Sequence, residues 1–276
     1  MNALPRYTAT RYVQPLREGG SLPAVVDTED GLFVTKFRGA GQGAKALIAE
    51  LIVGMLAREL GFPIPELALI EVVDVFGRAE PDPEIQEVLR ASHGTNVGMR
   101  YLDGAFNFDG HAAGDFITPE FAANLVWFDA LLTNPDRTHR NPNLLVWERK
   151  PWLIDHGSAL YAQHAWATVD DERTRTPFPL IKDHVLLAHA DDIPAADARL
   201  APLLTDDVVR GVLGAVPDEL LMDPISRDFP DAEAARARYH AYVTTRLAAP
   251  RAFVNEAVNA RATRAAEPPR RRSARR

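Results

Sequence analysis

The chain has 276 residues, a mass of 30.4 kDa, 46% hydrophobic and 25% charged residues. That is ordinary globular composition with enough length for a sizeable core, which excludes a disordered, collagen-like or coiled-coil chain. Cysteine is absent, so disulfides, thiolate metal sites and a Cys nucleophile are excluded, and a reducing cytoplasmic compartment fits. The net charge is -7, yet residues 261–276 hold seven Arg and one Glu, so the preceding 260 residues carry -13. An acidic body is a poor nucleic-acid surface.

In chain order, residues 17–23 are turn-prone. The apolar stretches 24–26 and 32–37 flank Asp30-Gly31 and read as a hairpin. A loop with Gly39, Gly41 and Gly43 follows. Residues 44–60 have helical spacing, with Leu47, Ile48, Leu51, Ile52, Met55 and Leu56 on the apolar side. Gly61 closes that helix, with Pro63 and Pro65 behind it. Residues 67–75 read as a strand, 76–95 as a loop with one short helix, and 96–102 as a strand. Thr118-Pro119 is a helix start, and Phe121, Leu125, Phe128 and Leu132 set a helical face that ends at Asn134-Pro135. Residues 144–147 and 152–154 form a second hairpin. From 180 to 262 the pattern is mainly helical, with loops near Pro194, Pro217 and Pro224. Residues 263–276 read as a disordered, solvated basic tail. No apolar run approaches the ~20 residues of a bilayer span, and no signal-type segment opens the chain. The expectation is a soluble α+β protein, strand-rich over 1–103 and mainly helical over 104–262, with no membrane and no specific nucleic-acid partner.

The chemistry concentrates in Asn134-Pro135-Asp136-Arg137-Thr138-His139-Arg140-Asn141-Pro142-Asn143. The second hairpin follows at once, with Asp155 at its far end in Ile154-Asp155-His156-Gly157. Folding the hairpin brings Asp155 back beside Asn141, so the carboxylates of Asp136 and Asp155 and the carboxamide of Asn141 converge on one pocket. Hard oxygen donors of this kind suit a divalent ion carried by phosphates. A second Asp-x-x-x-x-Asn pair, Asp129 and Asn134, lies along the helix, where five-residue spacing points the side chains apart. No His-x-x-x-His or His-x-His pair supports a hydrolytic metal centre at His139 and His156. Ser21 and Ser158 lack a nucleophile-elbow context, and Trp127, Trp147, Trp152 and Trp166 read as packing residues.

Helix, NPDRTHRNPNLL, hairpin and LIDHG together resemble the catalytic and metal-binding segment of the HipA-like kinases and, more distantly, the phosphoinositide kinases. The resemblance spans roughly residues 15–160 and implies a two-lobed protein-kinase-like fold. It implies ATP and Mg²⁺, with Asp136 as catalytic base or hydroxyl-positioning residue and Asn141 and Asp155 as metal ligands. Lys36, in Leu32-Phe33-Val34-Thr35-Lys36-Phe37, resembles the strand lysine that meets the α/β-phosphates. Glu50 is its expected ion-pair partner, and Glu59 is the rival. Gly19-Gly20-Ser21 is the candidate phosphate loop, although it lacks the Gly-x-Gly-x-x-Gly order; Gly39, Gly41 and Gly43 compete with it. Met99, Tyr101 and Leu102 occupy the place of the hinge, where backbone groups meet adenine.

The acceptor implied is a protein Ser or Thr hydroxyl. A small-molecule kinase acting on an antibiotic or sugar, and a nucleotide-binding pseudokinase, are the alternatives. HipA-like kinases are often paired with a DNA-binding antitoxin. This chain is shorter than the typical full-length toxin, and the expectation is that it lacks their separate N-terminal subdomain.

Overall fold

The computed structural model describes residues 3–16, 22–41, 43–77, 80–109 and 116–266. Five strands close a barrel in the order β1-β2-β3-β5-β4. They are β1 (Arg6–Pro15), β2 (Ala24–Thr28), β3 (Gly31–Lys36), β4 (Leu67–Val72) and β5 (Gly94–Arg100). β2 and β3 form the expected hairpin, with Thr28 paired to Gly31. Gly31 has φ 103°, a conformation that a glycine adopts without steric penalty. The barrel closes where Arg6–Thr8 of β1 run parallel to Leu69–Glu71 of β4. Its interior is filled by Val26, Phe33, Ala68 and Ile70.

Helix α1 (Gly43–Glu59) follows β3. Its stop is the glycine device expected: Gly61 has φ 80°, and the Phe62 N–H donates to Ala57 O at 3.0 Å. The expected one-sided apolar face is corrected. Residues 46–57 are buried all round, because α1 lies between the barrel strands β4 and β5 and two later helices, α6 (Asp206–Gly214) and α7 (Asp218–Leu221). Helix α2 (Pro83–Ala91) is capped by Asp82, whose carboxylate accepts from Glu84 N–H.

Helix α3 (Pro119–Leu131) starts at Thr118, whose Oγ1 accepts from the Phe121 N–H at 3.1 Å. It ends two to three residues earlier than expected. Thr133 turns to φ 51°, and Arg246 from α8 (Ala232–Leu247) caps the helix by donating to Leu131 O at 2.7 Å and Ala130 O at 2.9 Å. A three-stranded sheet follows, β6 (Phe106–Asn107), β7 (Leu144–Trp147) and β8 (Lys150–Leu153), in the order β6-β7-β8. The β7–β8 turn is only Glu148-Arg149, at φ 48° and 60°, so Lys150 and Pro151 belong to the strand.

The rest of the described chain is helical: α4 (Asp171–Thr174), α5 (Ile193–Leu200), α6, α7, α8 and α9 (Ala252–Ala266), with short 3₁₀ turns between. The expected loop near Pro194 lies at residues 190–192, and Pro194 stands in the first turn of α5. Helix α9 runs to Ala266, past the expected start of the basic tail; the tail's remainder lies outside the described residues. The architecture is mixed α+β. Among the described residues, no helix is long and apolar enough to cross a membrane.

Strand β1 was not legible as a strand. Ala9 is buried and Tyr7 and Tyr12 pack partly against the barrel core, but a register shift between Ala9 and Arg11 breaks the alternation, and backbone pairing to β2 and β4 holds the strand.

Gly98 of β5 shows how closely the barrel is filled. A Cβ there would sit 2.7 Å from Ile70 Cγ1 and 3.2 Å from Phe33 Cβ. Gly98→Ala is therefore expected to lower stability by about 1–3 kcal/mol through overpacking, read as a lower urea midpoint at unchanged slope.

Candidate active site

Lys36 is the last residue of β3, and its ammonium bridges two carboxylates. Its Nζ lies 2.5 Å from Glu50 Oε2 on α1 and 2.5 Å from Asp155 Oδ1 just after β8. Glu50 is 1% exposed, Lys36 12% and Asp155 37%, so the cluster runs from the core out to solvent. Glu50 sits inside the packed surround of α1. Glu59, the rival, is exposed. The His156 N–H also donates to Glu50 Oε2, at 2.9 Å, and so ties the segment after β8 to α1. Gly157 lets that segment come close, since a Cβ there would lie 3.4 Å from Lys36 Nζ and from Ala46 O.

The polar loop after α3 is organised from beneath by Asp129. Asp129 Oδ1 accepts from Asn134 Nδ2 at 3.0 Å. Asp129 Oδ2 accepts from Arg137 Nε at 2.6 Å and His184 Nε2 at 3.0 Å. The expectation that Asp129 and Asn134 point apart is thus corrected. The helix stops short of Asn134, and the left-handed Thr133 swings it back onto Asp129. Arg137 is on Asp129. It is fully buried, and it also donates to Asn143 O and, at 3.3 Å, to His156 Nδ1. Arginine only donates, so His156 Nδ1 is the acceptor and its proton sits on Nε2.

Above this base lies Asp136. Its N–H donates to Asn134 Oδ1 at 3.1 Å, and its Oδ2 accepts from Asn141 Nδ2 at 2.9 Å and Asn143 Nδ2 at 3.3 Å. The Asn143 amide reaches Asp155 O as well, at 3.4 Å. Asn141 is therefore bonded directly to Asp136, Asn143 links Asp136 to the Asp155 backbone, and the Asp155 carboxylate continues to Lys36. Asn143 and Asp155 both have left-handed backbones, at φ 49° and 54°.

Electrostatics differ between the two layers. Burial works against the Lys36 charge, but Glu50 and Asp155 outweigh it and hold the ammonium above its ordinary value. Burial pushes Glu50 up against the pull of Lys36. Burial opposes the Asp155 charge too, yet Lys36 holds that carboxyl below its ordinary value. In the lower layer, burial opposes the Asp129 charge, but Arg137 and His184 hold the carboxyl well below the usual range. Burial, with Arg137 beside it, pushes His156 down to about 3.

Residues 10–172, more than half of the chain, match a family model described as HipA-like kinase. The chain belongs to the HipA-like kinase family. Among solved structures, the Helicobacter pylori proinflammatory kinase CtkA is similar in fold, with a TM-score of 0.55 at 13% identity, covering 96% of this chain and 100% of that one. No curated protein matches the chain.

Within this kinase frame the remaining expected site residues separate. Met99 lies in β5, paired to Val34 and Leu67 and buried. The Tyr101 N–H donates to Leu32 O at 2.9 Å, and Leu102 O accepts from the Ala105 N–H at 3.1 Å, so two backbone groups of the expected hinge are already engaged. Gly19, Gly20 and Ser21 lie outside the described residues. Of the competing glycines, Gly39 is packed against α2: a Cβ there would meet Val88 O at 2.7 Å. Asn143 and Asp129 were missed as site residues. The second Asn-Pro step, Asn141-Pro142-Asn143, was the signal available for Asn143; Asp129 carried none beyond a helical register.

His156 gives the site a pH signature. Its proton affinity is far lower folded than at the ordinary value of 6.5, so between those limits the unfolded chain binds more protons and stability falls as pH falls. From pH 6.5 to 4.5 the expected loss is about 2–3 kcal/mol, followed by thermal melting, and His156→Gln should flatten that slope.

Proposed function

We propose that this kinase transfers the γ-phosphoryl group of ATP to a hydroxyl, with a protein Ser or Thr as the acceptor. The observation that carries the reading is the connected set Lys36–Glu50–Asp155–Asn143–Asp136. In this reading residues 1–103 form a nucleotide-binding lobe and 104–262 a second lobe carrying the catalytic loop.

The donor set suits Mg²⁺. Asn141 and Asp155 offer hard oxygens at the solvent side of the cluster, and Mg²⁺ takes few protein ligands, keeping phosphate oxygens and water for the rest. Among the described residues, no group of three or more His, Cys, Asp or Glu is arranged to hold a metal. Bound there, Mg²⁺ would supply charge neutralisation at the β/γ-phosphates.

The chain's own residues do the positioning. Lys36, fixed by Glu50, turns its remaining donor capacity to the α/β-phosphates. Two carboxamides occupy Asp136 Oδ2, which points to Oδ1 as the oxygen that meets the acceptor hydroxyl. The hydroxyl oxygen attacks the γ-phosphorus, the bond to the ADP oxygen breaks, and the hydroxyl proton passes to Asp136. Such catalysis is mostly orientation and charge stabilisation.

The test is transfer of label from γ-labelled ATP into a cell lysate, with mass-spectrometric identification of the modified species. Asp136→Ala and Asp155→Ala should retain native circular dichroism and lose transfer by about 10²–10⁴-fold. Lys36→Met should also reduce it. Full turnover in purified Asp155→Ala overturns the assignment, and label found in an aminoglycoside or sugar moves the acceptor to a small molecule.

A further inference from the structure

Arg137 is fully buried, as is its partner Asp129, and neither reaches the reacting groups. Lysine in place of arginine would still meet Asp129, so a single ion pair does not explain a guanidinium here. The fork does: Nε is on Asp129, one terminal nitrogen is on Asn143 O, and the other is on His156 Nδ1. Those last two contacts reach the loop after α3 and the segment after β8. Asn143 is the residue whose amide bridges Asp136 Oδ2 and Asp155 O. His156 immediately follows Asp155 and is anchored on Glu50. One planar cation therefore spans the helix α3, the loop bearing Asp136 and the segment bearing Asp155.

Asn143 itself sits in a left-handed conformation at φ 49°, tolerable for asparagine but not free. The Arg137 contact to its carbonyl, together with the Ile154 N–H donated to the same oxygen at 3.1 Å, holds that conformation. His184 completes the base: its Nδ1 accepts from the Leu186 N–H at 3.1 Å, so its Nε2 proton points to Asp129.

We propose that Arg137, held on Asp129, is a positioning residue for phosphoryl transfer that sets the separation of Asp136 and Asp155 through Asn143 and His156. This rests on the kinase reading above. A displacement of about 1 Å between reacting groups is enough to reduce turnover by about 10²-fold, while leaving ATP binding nearly unchanged.

The test compares Arg137→Lys, Asn143→Gly and the double variant with the unaltered protein, by circular dichroism, kcat and KM for ATP. Arg137→Lys keeps the charge on Asp129 and removes the fork; Asn143→Gly keeps the left-handed backbone and removes the bridging amide. Each single variant should lower kcat by about 10–100-fold with KM for ATP within about threefold. The double variant should fall within about threefold of the worse single one, because both changes break one linkage. A folded Arg137→Lys with kcat within twofold of the parent overturns the proposal. So does a double variant whose losses multiply, or a loss carried in KM. Should Arg137→Lys fail to fold, Asn143→Gly decides: kcat within twofold overturns it. A parent protein without ATP turnover overturns the kinase reading and this one with it; an active parent with unaffected variants overturns positioning only.

Discussion

The ammonium of Lys36 joins three segments that are remote in sequence: the end of β3, the middle of α1 and the chain just after β8. Removing Lys36 and Glu50 from water is expensive, and a buried ion pair commonly stabilises less than well-packed apolar side chains of the same volume. A barrel and helix assembled for stability alone would carry a Met and a Leu there. Retaining the charges fixes where α1 and the Asp155 segment sit relative to the sheet. Other pairs work with it: Arg38 meets Asp223 at 2.5 Å and Lys45 meets Asp228 at 2.7 Å, both joining the region around β3 and α1 to the loop after α7. With α6 and α7 packed against it as well, α1 has little room to rotate, and Glu50 keeps its place under Lys36.

The backbone around the site is shaped by reversals that ordinary residues resist. Thr133, Asn143, Asp155 and Leu160 have φ between 49° and 54°, and each non-glycine residue in that region carries some strain. Such conformations persist where the surroundings over-determine them. Here Arg246 caps α3 just before Thr133, Arg137 grips Asn143, Lys36 and the Asn143 amide hold Asp155, and the Leu160 N–H donates to Leu132 O at 2.8 Å. Two of these four clamps are guanidinium groups buried among carbonyl oxygens, where several donors in one plane satisfy several acceptors at once.

Much of this was legible from residue pattern. The first hairpin, the glycine stop of α1, the Thr118 cap and the order helix, polar loop, hairpin, Asp155 all follow from local chemistry that short windows contain. What was not legible is long-range. Strand β1 shows no regular apolar periodicity because a register shift between Ala9 and Arg11 separates its inward residues Tyr7 and Ala9 from Tyr12. The burial of residues 46–57 of α1 on every side depends on α6 and α7, more than 140 residues downstream in sequence, and Glu50 is met by Lys36 and the His156 N–H, also distant along the chain. The meeting of Asp129 with Asn134 depends on a helix ending earlier than its apolar spacing suggests, and that ending is fixed by Arg246. Helical projection is a sound rule only while the helix lasts.

Two charged clusters, one around Asp129 and one around Lys36, differ in how completely they are satisfied. At Asp129 both oxygens have donors, from Asn134 on one side and from Arg137 and His184 on the other. A buried polar network closed in this way rigidifies its surroundings and has no capacity left for a ligand. The upper cluster is open. One ammonium serves two carboxylates, Glu50 Oε1 is buried without a partner among the described residues, and Asp155 faces solvent. Unmet capacity in a buried polar group is energetically unfavourable and is retained where something else makes use of it. The two clusters thus divide into a closed base and an open top with charge left to offer, a division that the proposed phosphoryl transfer by positioning would use.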